Sequence, residues 1–519
     1  MMDPRSVSTR RPWSSLFAFL LLCAAGLAIR LYRLGAYSLW MDEAESIYSG
    51  VIGRSFHPPV FPFLLSVWVQ FFTSETGLRM LVVLFGISSI PAIHALTRKL
   101  LSPRTAWISA FLLTVSPFAV FYSRELRMYS LVLLLAILSW IWFLTWIRSG
   151  SAFPLIAWIA LNTLFLYTHY YSLFFIAGQI IGLFLFVPCR SALKRSLLAG
   201  ALHSIVFAPY FIRFFTLSKG IINSAFWCPP VSIRTVWELL SVFSAGYEAS
   251  RIVYTTMGLV CASAALYGFL DRSKPLLQRY LIAAGIIPVG LALLASLLLP
   301  TCIFVPRYTI YALAPFIIAI AHGIDRIDSR KLTIFALSVL TVIHASTLKS
   351  HYYNEYKSGM RSLIQPRKEF REAARWIDTQ FLPGDIIGTT CESGTFPVWF
   401  YLVYLKQHPP AYFLDIDDEY RKDLIRKFNL DDIVQQYPEV RSANLSPDWL
   451  ESHRRLWVYK TDWCFELDGC VDFYTQHNRK VLEWLESRYG RIEERGFTGV
   501  SVILFDLAGK TPADSQLHQ

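Results

Sequence analysis

The sequence predicts a polytopic α-helical membrane protein with an α/β domain at its C-terminal end. Of its 519 residues, 54% are hydrophobic and 15% are aromatic, and the mean hydropathy of +0.41 excludes an ordinary soluble globular protein. Apolar stretches long enough to cross a bilayer recur up to about residue 349, whereas the composition beyond residue 350 is that of a soluble domain. We therefore expect a membrane domain over 1–349 and an extracytoplasmic α/β domain over 350–519.

Charge is divided unevenly between these two domains. Residues 1–349 carry 28 Lys and Arg against 11 Asp and Glu, whereas residues 350–519 carry 21 against 26, and the formal net charge is +12. The basic excess therefore belongs to the membrane domain, where membrane topology and anionic lipid or phosphate account for it. A nucleic acid partner is not expected.

The distribution of basic residues fixes the predicted topology. Arg5, Arg10 and Arg11 precede a first apolar run that lacks a small-residue cleavage site, so we expect an uncleaved span with a cytosolic N-terminus. The run from Val60 to Phe72 is shorter than the roughly 20 residues of a spanning helix and is predicted to lie on the outer surface. The basic loops then face the cytosol, at residues 98–104, 148, 190–195, 272–279 and 326–331.

About eleven spans follow from this assignment, in the inner (plasma) membrane and with the C-terminal domain outside. They are expected near residues 14–31, 79–97, 105–121, 128–147, 153–168, 171–188, 196–215, 253–270, 280–299, 308–323 and 332–348. In the C-terminal domain, sequence patterns predict helices over 367–381, 419–428 and 478–489, and strands over 386–390, 411–416, 456–460 and 499–506. Cys464 and Cys470 could form a disulfide in an oxidising compartment.

Two adjacent carboxylates, Asp42 and Glu43, follow the first span at the start of a short predicted helix. One face of that helix is apolar and the other is polar, with Glu43 at the boundary; the apolar face carries Ala44, Ile47, Tyr48 and Val51, and the polar face carries Asp42, Glu45, Ser46 and Ser49. We expect the helix to lie flat, with its apolar face in the lipid interface and Asp42 toward an aqueous pocket. Alternatively, both acids only complement the helix dipole.

The predicted topology brings further polar residues of the outer loops to the same side of the membrane. Arginine forks bind phosphate oxygens, and tyrosine faces suit sugar rings and prenyl chains. A pocket with a base, several guanidinium groups and aromatic walls suits a lipid-linked phosphate whose attached group is transferred. The candidate binding residues for donor phosphate and sugar are His57, Arg124, Arg127, Tyr129, His169, Tyr170, Arg307 and Tyr308.

Each of these residues also has a structural interpretation. Arg124, Glu125 and Arg127 could form a solvated cap at a helix end, and Arg307 with Tyr308 could be an interfacial anchor. In the same way, His57 could fix a turn before two prolines, and His169 could be a packed interfacial histidine. Three acidic residues are interpreted as solvated or as parts of a loop: Glu45, Glu238 and Glu248.

Taken in order, three motifs resemble bacterial membrane glycosyltransferases of the GT-C class. Within that class the chain is similar to the protein mannosyltransferase and aminoarabinose transferase group, glycosyltransferase family 39-like. In architecture the resemblance covers about residues 14–350. The motifs are Ser38-Leu39-Trp40-x-Asp42-Glu43-Ala44, His57-Pro58-Pro59 and Tyr122-Ser123-x-Glu125-x-Arg127-Met128-Tyr129-Ser130.

The resemblance implies transfer of a sugar from a polyprenyl-phosphate donor to a hydroxyl of a lipid, glycan or protein at the outer face. It assigns Asp42 as general base with Glu43 beside it, and places the donor phosphate at His57, Arg127 and Arg307, with Tyr129 next to it. The aminoarabinose transferases have Glu-Lys where this chain has Phe56-His57, so the sugar need not be the same. Some members bind a divalent cation at the acidic loop and others do not need one, which leaves a metal at Asp42 open.

Other functions remain open at this point. One is a related GT-C reaction, the transfer of a lipid-linked oligosaccharide. A transporter or flippase for a lipid-linked sugar would have broken helices at mid-bilayer, and a non-catalytic protein would use its outer domain to bind an assembly. The partners expected from the resemblance are a polyprenyl-phosphate sugar, membrane lipid and an acceptor that the sequence does not identify.

Overall fold

A bundle of long helices and a mixed β-sheet make up the computed structural model of this chain. It describes residues 12–53, 57–223, 230–299, 302–353, 368–390, 392–409, 411–415, 441–444, 447–461 and 471–510. The predicted helix over 419–428 and both Cys464 and Cys470 lie outside these residues. Among the described residues, Cys23, Cys189 and Cys261 are free thiols.

Each of the predicted spans overlaps one or more helical segments. Six segments are long and apolar enough to cross a membrane, and three further helices are apolar but shorter, counted over the described residues. The total of eleven spans stays a prediction. The helices of this region are α1 (Pro12–Leu31), α2 (Met41–Ile52), α3 (Val60–Trp68), α4 (Glu75–Leu100), α5 (Pro103–Val115), α6 (Pro117–Tyr122), α7 (Tyr129–Ser149), α8 (Ala152–Leu166), α9 (Ser172–Phe186), α10 (Cys189–Asn223), α11 (Ile233–Ala245), α12 (Arg251–Phe269), α13 (Pro275–Leu281), α14 (Ile287–Leu298), α15 (Leu313–Asp325) and α16 (Arg330–Tyr352).

Serine caps set several helix starts. The hydroxyl of Ser74 accepts from the Gly77 N–H at the start of α4, and Ser102 does the same for Thr105 at the start of α5. The predicted span 105–121 is divided into two helices, α5 and α6. There Ser116 precedes a proline, which disfavours helical geometry, and its hydroxyl accepts from the Ala119 N–H to begin α6. The second outer loop, residues 123–128, follows directly and is buried.

The sequence predicted that the short helix α2 would bury its apolar face in lipid. In the structure this face is buried in protein. Ala44, Ile47 and Tyr48 are fully buried, and the ring of Tyr48 lies 4.7 Å from that of Trp399 in the C-terminal domain. Val51, the fourth residue of the predicted apolar face, is 37% exposed. The helix is therefore held between the membrane domain and the C-terminal domain, because a protein surface covers the side that amphipathicity alone would assign to lipid.

The C-terminal domain contains a six-stranded mixed sheet. Its strands are β1 (Asp385–Thr389), β2 (Tyr412–Asp415), β3 (Arg441–Asn444), β4 (Arg455–Thr461), β5 (Tyr489–Phe497) and β6 (Val500–Lys510), and its helices and one π-helical segment are α17 (Phe370–Gln380), α18 (Glu392–Val398), Trp399–Tyr404, α19 (Pro447–Glu451) and α20 (Val471–Glu486). The strand order is β3-β2-β1-β4-β6-β5, with the first four strands parallel and β6 antiparallel to both of its neighbours. The predicted strands correspond to β1, β2, β4 and β6; the sequence did not predict β3 and β5.

Polar contacts join the C-terminal domain to the segment between α1 and α2, which is the predicted first outer loop. The hydroxyl of Tyr401 accepts from the Leu39 N–H at 2.7 Å and donates to Oε1 of Glu75 at 3.0 Å. Arg371 binds the same Glu75 oxygen at 3.0 Å, and its backbone N–H donates to Ser38 Oγ. The domain therefore packs against the segment that leads into α2.

A buried ion pair ties this segment to α4. Nε of Arg79 donates to Oε1 of Glu43 at 2.8 Å, and Nη2 donates to Oε2 at 2.6 Å. The other N–H groups of Arg79 donate to the backbone carbonyls of Leu34, Tyr37 and Ser38, so all five donors are satisfied. Glu43 in turn accepts from the backbone N–H of Leu126 in the second outer loop at 2.9 Å.

Tyr401→Phe tests the contact between the domains. The substitution leaves the Leu39 N–H and Glu75 each short of one partner, and we expect it to lower the free energy of unfolding by about 1–3 kcal/mol. Thermal unfolding of purified protein in detergent measures the loss. Tyr404→Phe is the matched control, because among the described residues the Tyr404 hydroxyl has no hydrogen bond. Equal melting temperatures for the two variants would argue against the contact.

Glu43→Gln tests the buried ion pair. The amide keeps the shape of the side chain but leaves the Arg79 charge buried without its counter-charge, so we expect a loss of about 3–5 kcal/mol. Glu238→Gln is the control, since the exposed Arg234–Glu238 pair should contribute at most about 0.5 kcal/mol. Unfolding curves that do not separate Glu43→Gln from this control would contradict the assignment.

Candidate active site

Asp42 lies in the first turn of α2 beside two guanidinium groups. Its Oδ2 lies 4.0 Å from Nε of Arg127 and 3.8 Å from Nη2 of Arg307. Both separations exceed a hydrogen bond, and Nε of Arg127 is buried without a hydrogen-bond partner among the described residues. The carboxylate is 17% exposed, whereas Glu43 next to it is fully buried in its pair with Arg79. Of the two acids, Asp42 is therefore the one whose carboxylate lies beside Arg127 and Arg307.

Arg127 is the centre of a polar network in the second outer loop. Its Nη1 donates to Oε2 of Glu45, to Oγ of Ser46 and to the Asp42 carbonyl, at 2.8 to 2.9 Å. Its Nη2 lies 2.8 Å from Nε2 of His57, which therefore accepts the hydrogen bond, because arginine can only donate. Burial favours the neutral form of Glu45, but its interactions with His57 and with the Arg127 guanidinium outweigh burial and hold the pKa of Glu45 at about 2. Glu45 is thus an ionised partner and not the solvated residue that the sequence predicted.

Asp42, Glu45, His57, Arg127 and Arg307 form one polar cluster. Aromatic rings line its Arg307 side. The guanidinium carbon of Arg307 lies 5.5 Å from the ring centroid of Tyr308 and 5.9 Å from that of Tyr129, which are cation–π distances. The ring of His169 lies 5.2 Å from that of Tyr308 and 6.0 Å from that of Tyr129. Burial is the largest cause that lowers the pKa of His169, and with the guanidinium groups of Arg127 and Arg307 it brings this pKa to about 3, so the imidazole is neutral. Tyr129, Tyr308 and His169 thus form one aromatic wall beside Arg307.

Two of the predicted binding residues make hydrogen bonds to α1 and α10. Arg124 donates to the backbone carbonyls of Arg30 and Tyr32 at the end of α1, and its guanidinium carbon lies 4.8 Å from the Tyr352 ring centroid. The hydroxyl of Tyr170 lies 3.3 Å from that of Tyr210 on α10. Arg124 is 4% exposed, so the solvated-cap interpretation of this loop is wrong, and its hydrogen bonds tie the loop to the end of α1. Its role in binding the donor stays a prediction.

Several residues of the cluster were not predicted from the sequence. Arg79 and Glu45 complete its ion pairs, and Glu125 is a buried carboxyl in the same loop as Arg127. The hydroxyl of Tyr247, after α11, lies 2.9 Å from that of Tyr122. Glu125 was part of a quoted motif, which is the one signal that could have identified it. The other contacts join segments far apart in the chain.

A metal at Asp42 stays a prediction of the resemblance. In the parts of the chain that the structure describes, no group of three or more His, Cys, Asp or Glu side chains is arranged to hold a metal ion. The charged neighbours of Asp42 are two guanidinium groups, and Glu45 is paired with Arg127. The residues around Asp42 therefore offer a metal ion one carboxylate ligand, with two guanidinium groups next to it.

Comparisons with known proteins identify the fold. Residues 56–212 match the sequence model of a family described as dolichyl-phosphate-mannose-protein mannosyltransferase. No curated protein sequence matches the chain. Among solved structures, ArnT from Cupriavidus metallidurans in the apo state is similar over 96% of this chain and 100% of its own, with a TM-score of 0.64 and 12% identity.

Two further solved structures share this fold. ArnT from the same organism bound to undecaprenyl phosphate has a TM-score of 0.63 at 12% identity, over 96% of this chain and 100% of its own. The Archaeoglobus fulgidus oligosaccharyltransferase tethered with an acceptor peptide has a TM-score of 0.51 at 12% identity, over 97% of this chain and 77% of its own. The resemblance read from the sequence is thereby confirmed: the chain has the fold of GT-C membrane glycosyltransferases, and its residues 56–212 match the protein mannosyltransferase family.

Proposed function

We propose that this protein transfers a sugar from a polyprenyl-phosphate donor to a hydroxyl acceptor at the outer face of the membrane. The observation that carries the proposal is the position of Asp42, whose carboxylate lies within 4.0 Å of both Arg127 and Arg307 without a hydrogen bond to either guanidinium group. Such a site offers a base and two cations to one substrate. A flippase would need no base at this position.

Asp42 is the general base in this proposal. As the acceptor oxygen attacks the anomeric carbon, its proton passes to the Asp42 carboxylate, and the bond from that carbon to the phosphate oxygen breaks with its electron pair on oxygen. A single displacement inverts the anomeric centre. Glu43 is a positioning residue, because its pair with Arg79 and its bond to the Leu126 N–H hold α2 against the second outer loop.

Arg127 and Arg307 bind the donor phosphate in this proposal. Nε of Arg127 has no hydrogen-bond partner among the described residues and can donate to a phosphate oxygen. His57 lies 2.8 Å from Nη2 of Arg127 and orients it. Tyr129, Tyr308 and His169 present ring faces on which a sugar or the first prenyl units can pack. The undecaprenyl phosphate bound by ArnT, a protein of the same fold, supports a donor of this class.

Transfer of a lipid-linked oligosaccharide is the second candidate. The likeness to the archaeal oligosaccharyltransferase, solved with a tethered acceptor peptide, is the observation that favours it. Purified protein offered radiolabelled polyprenyl-phosphate monosaccharides, or polyprenyl-linked oligosaccharides, separates the two candidates. Hydrolysis without acceptor is scored in the same assay, and we expect turnover with the monosaccharide donors and an inverted anomeric centre in the product.

Asp42→Asn tests the general base. The amide keeps the size of the side chain but cannot accept the proton, so we expect kcat to fall by about 10² to 10⁴-fold with little change in thermal stability. The matched control is Asp328→Asn, an exposed aspartate in the loop between α15 and α16. A normal transfer rate in Asp42→Asn inserted at the wild-type level would rule out the assigned base.

A further inference from the structure

A second carboxyl group is buried two positions before Arg127, in the same loop. Glu125, in the loop between α6 and α7, is 2% exposed, and its Oε1 has no hydrogen-bond partner in the described part of the chain. A structural buried carboxylate is normally paired, as Glu43 is with Arg79 at 2.6 Å. Glu125 forms no such ion pair with any residue that the structure describes, although guanidinium groups interact with it. Its arrangement therefore leaves hydrogen-bonding capacity unused at the site.

The charged and polar groups that interact electrostatically with Glu125 come from several elements. Asp42 and Glu43 on α2 disfavour its ionisation, whereas Arg307 and Arg127 favour it. Three tyrosine hydroxyls also interact with it electrostatically, from α6, α7 and the segment after α11: Tyr122, Tyr129 and Tyr247. These are the groups that surround Asp42 and the proposed phosphate site.

The balance of these effects keeps Glu125 neutral at pH 7. Burial is the largest cause and raises the pKa of Glu125 to about 8, because the cations Arg307 and Arg127 only partly offset desolvation and the charge of Asp42. Glu45, in the same cluster, has its pKa held at about 2. A carboxyl that stays protonated and a carboxylate that is ionised therefore belong to one cluster, the arrangement by which enzymes separate an acid from a base.

We propose that Glu125 is a catalytic acid of this site, which donates a hydrogen bond and then its proton to the leaving phosphate. This inference rests on the proposed function. The geometry that carries the proposal is a buried carboxyl whose Oε1 has no hydrogen-bond partner among the described residues, in the loop that also places the Leu126 N–H on Glu43 and Arg127 beside Asp42.

The proton balance of the transfer is complete with this acid. The donor is a phosphodiester with one negative charge, and cleavage of its bond to the anomeric carbon leaves a second charge on the released prenyl phosphate. Glu125 supplies a proton to that oxygen, and Asp42 takes the proton of the acceptor hydroxyl. The two carboxyls end the step with their protonation states exchanged. Asp42 then loses its proton to solvent and Glu125 takes up a proton from solvent, which resets the site.

The pH dependence of the wild-type protein is the first test. A group whose pKa is about 8 is protonated below that pH and ionised above it, so kcat/KM for the donor should fall about tenfold per pH unit above about pH 8. Bound donor neutralises Arg127 and Arg307, which removes the cations that favour ionisation. The decline in kcat should therefore begin at a higher pH than the decline in kcat/KM. A flat kcat/KM between pH 7 and 9.5 would overturn the proposal.

Glu125→Gln isolates the acid. The amide can donate a hydrogen bond but no ionisable proton, so we expect kcat at pH 7 to fall by about 10²-fold and kcat/KM to lose its alkaline decline. Glu125→Asp keeps the acid and should retain that decline. Size-exclusion profiles, melting temperatures and undecaprenyl phosphate binding report whether each variant is folded.

The outcomes separate this inference from the proposed function. If wild-type protein transfers no sugar from any polyprenyl-phosphate donor, the proposed function fails. If the wild-type protein is active but Glu125→Gln keeps the wild-type rate or the same alkaline decline, only the role of Glu125 fails. Should Glu125→Gln not fold, the wild-type pH profile alone still decides.

Discussion

The buried ion pair between Glu43 and Arg79 is the interaction on which the site depends. It joins the start of α2 to α4, and the bond from the Leu126 N–H extends it to the second outer loop. Arg79 also binds three carbonyls of the segment that follows α1. An ion pair without exposure to water gains little net stability but is costly to break, so it restricts these segments to one arrangement. That arrangement brings Asp42 beside Arg127 and Arg307.

Four carboxyl groups in this small region differ in environment, and their roles follow from it. Glu43 is paired and buried, Glu45 is ionised against Arg127, Glu125 is protonated, and Asp42 faces the cations without a hydrogen bond to their guanidinium groups. Only the last two are arranged for proton transfer in the proposed reaction. The C-terminal domain contributes from behind, because Trp399 and Phe396 cover the apolar face of α2 and fix the orientation of its polar face.

Local sequence patterns were enough for the helical spans and for the polar face of α2. They failed where a contact joins distant segments. Glu45 looked solvated because its partner Arg127 lies 82 positions later, and Tyr48 looked lipid-facing because lipid and a protein core are equally apolar. The motif residue Arg124 donates to a carbonyl at the end of α1, a contact that the sequence did not predict, and its role at the donor phosphate stays a prediction. Strand β5 escaped detection because an exposed, charged edge strand lacks apolar alternation.

The central claim is that Asp42 and the two arginines open onto one cavity that receives the donor phosphate. An experimental structure of the protein with undecaprenyl phosphate bound tests it most directly. We expect the phosphate oxygens within hydrogen-bond distance of both Arg127 and Arg307, with the Asp42 carboxylate facing the position of the anomeric carbon. A phosphate bound away from both arginines, or an Asp42 carboxylate turned toward lipid, would contradict the account.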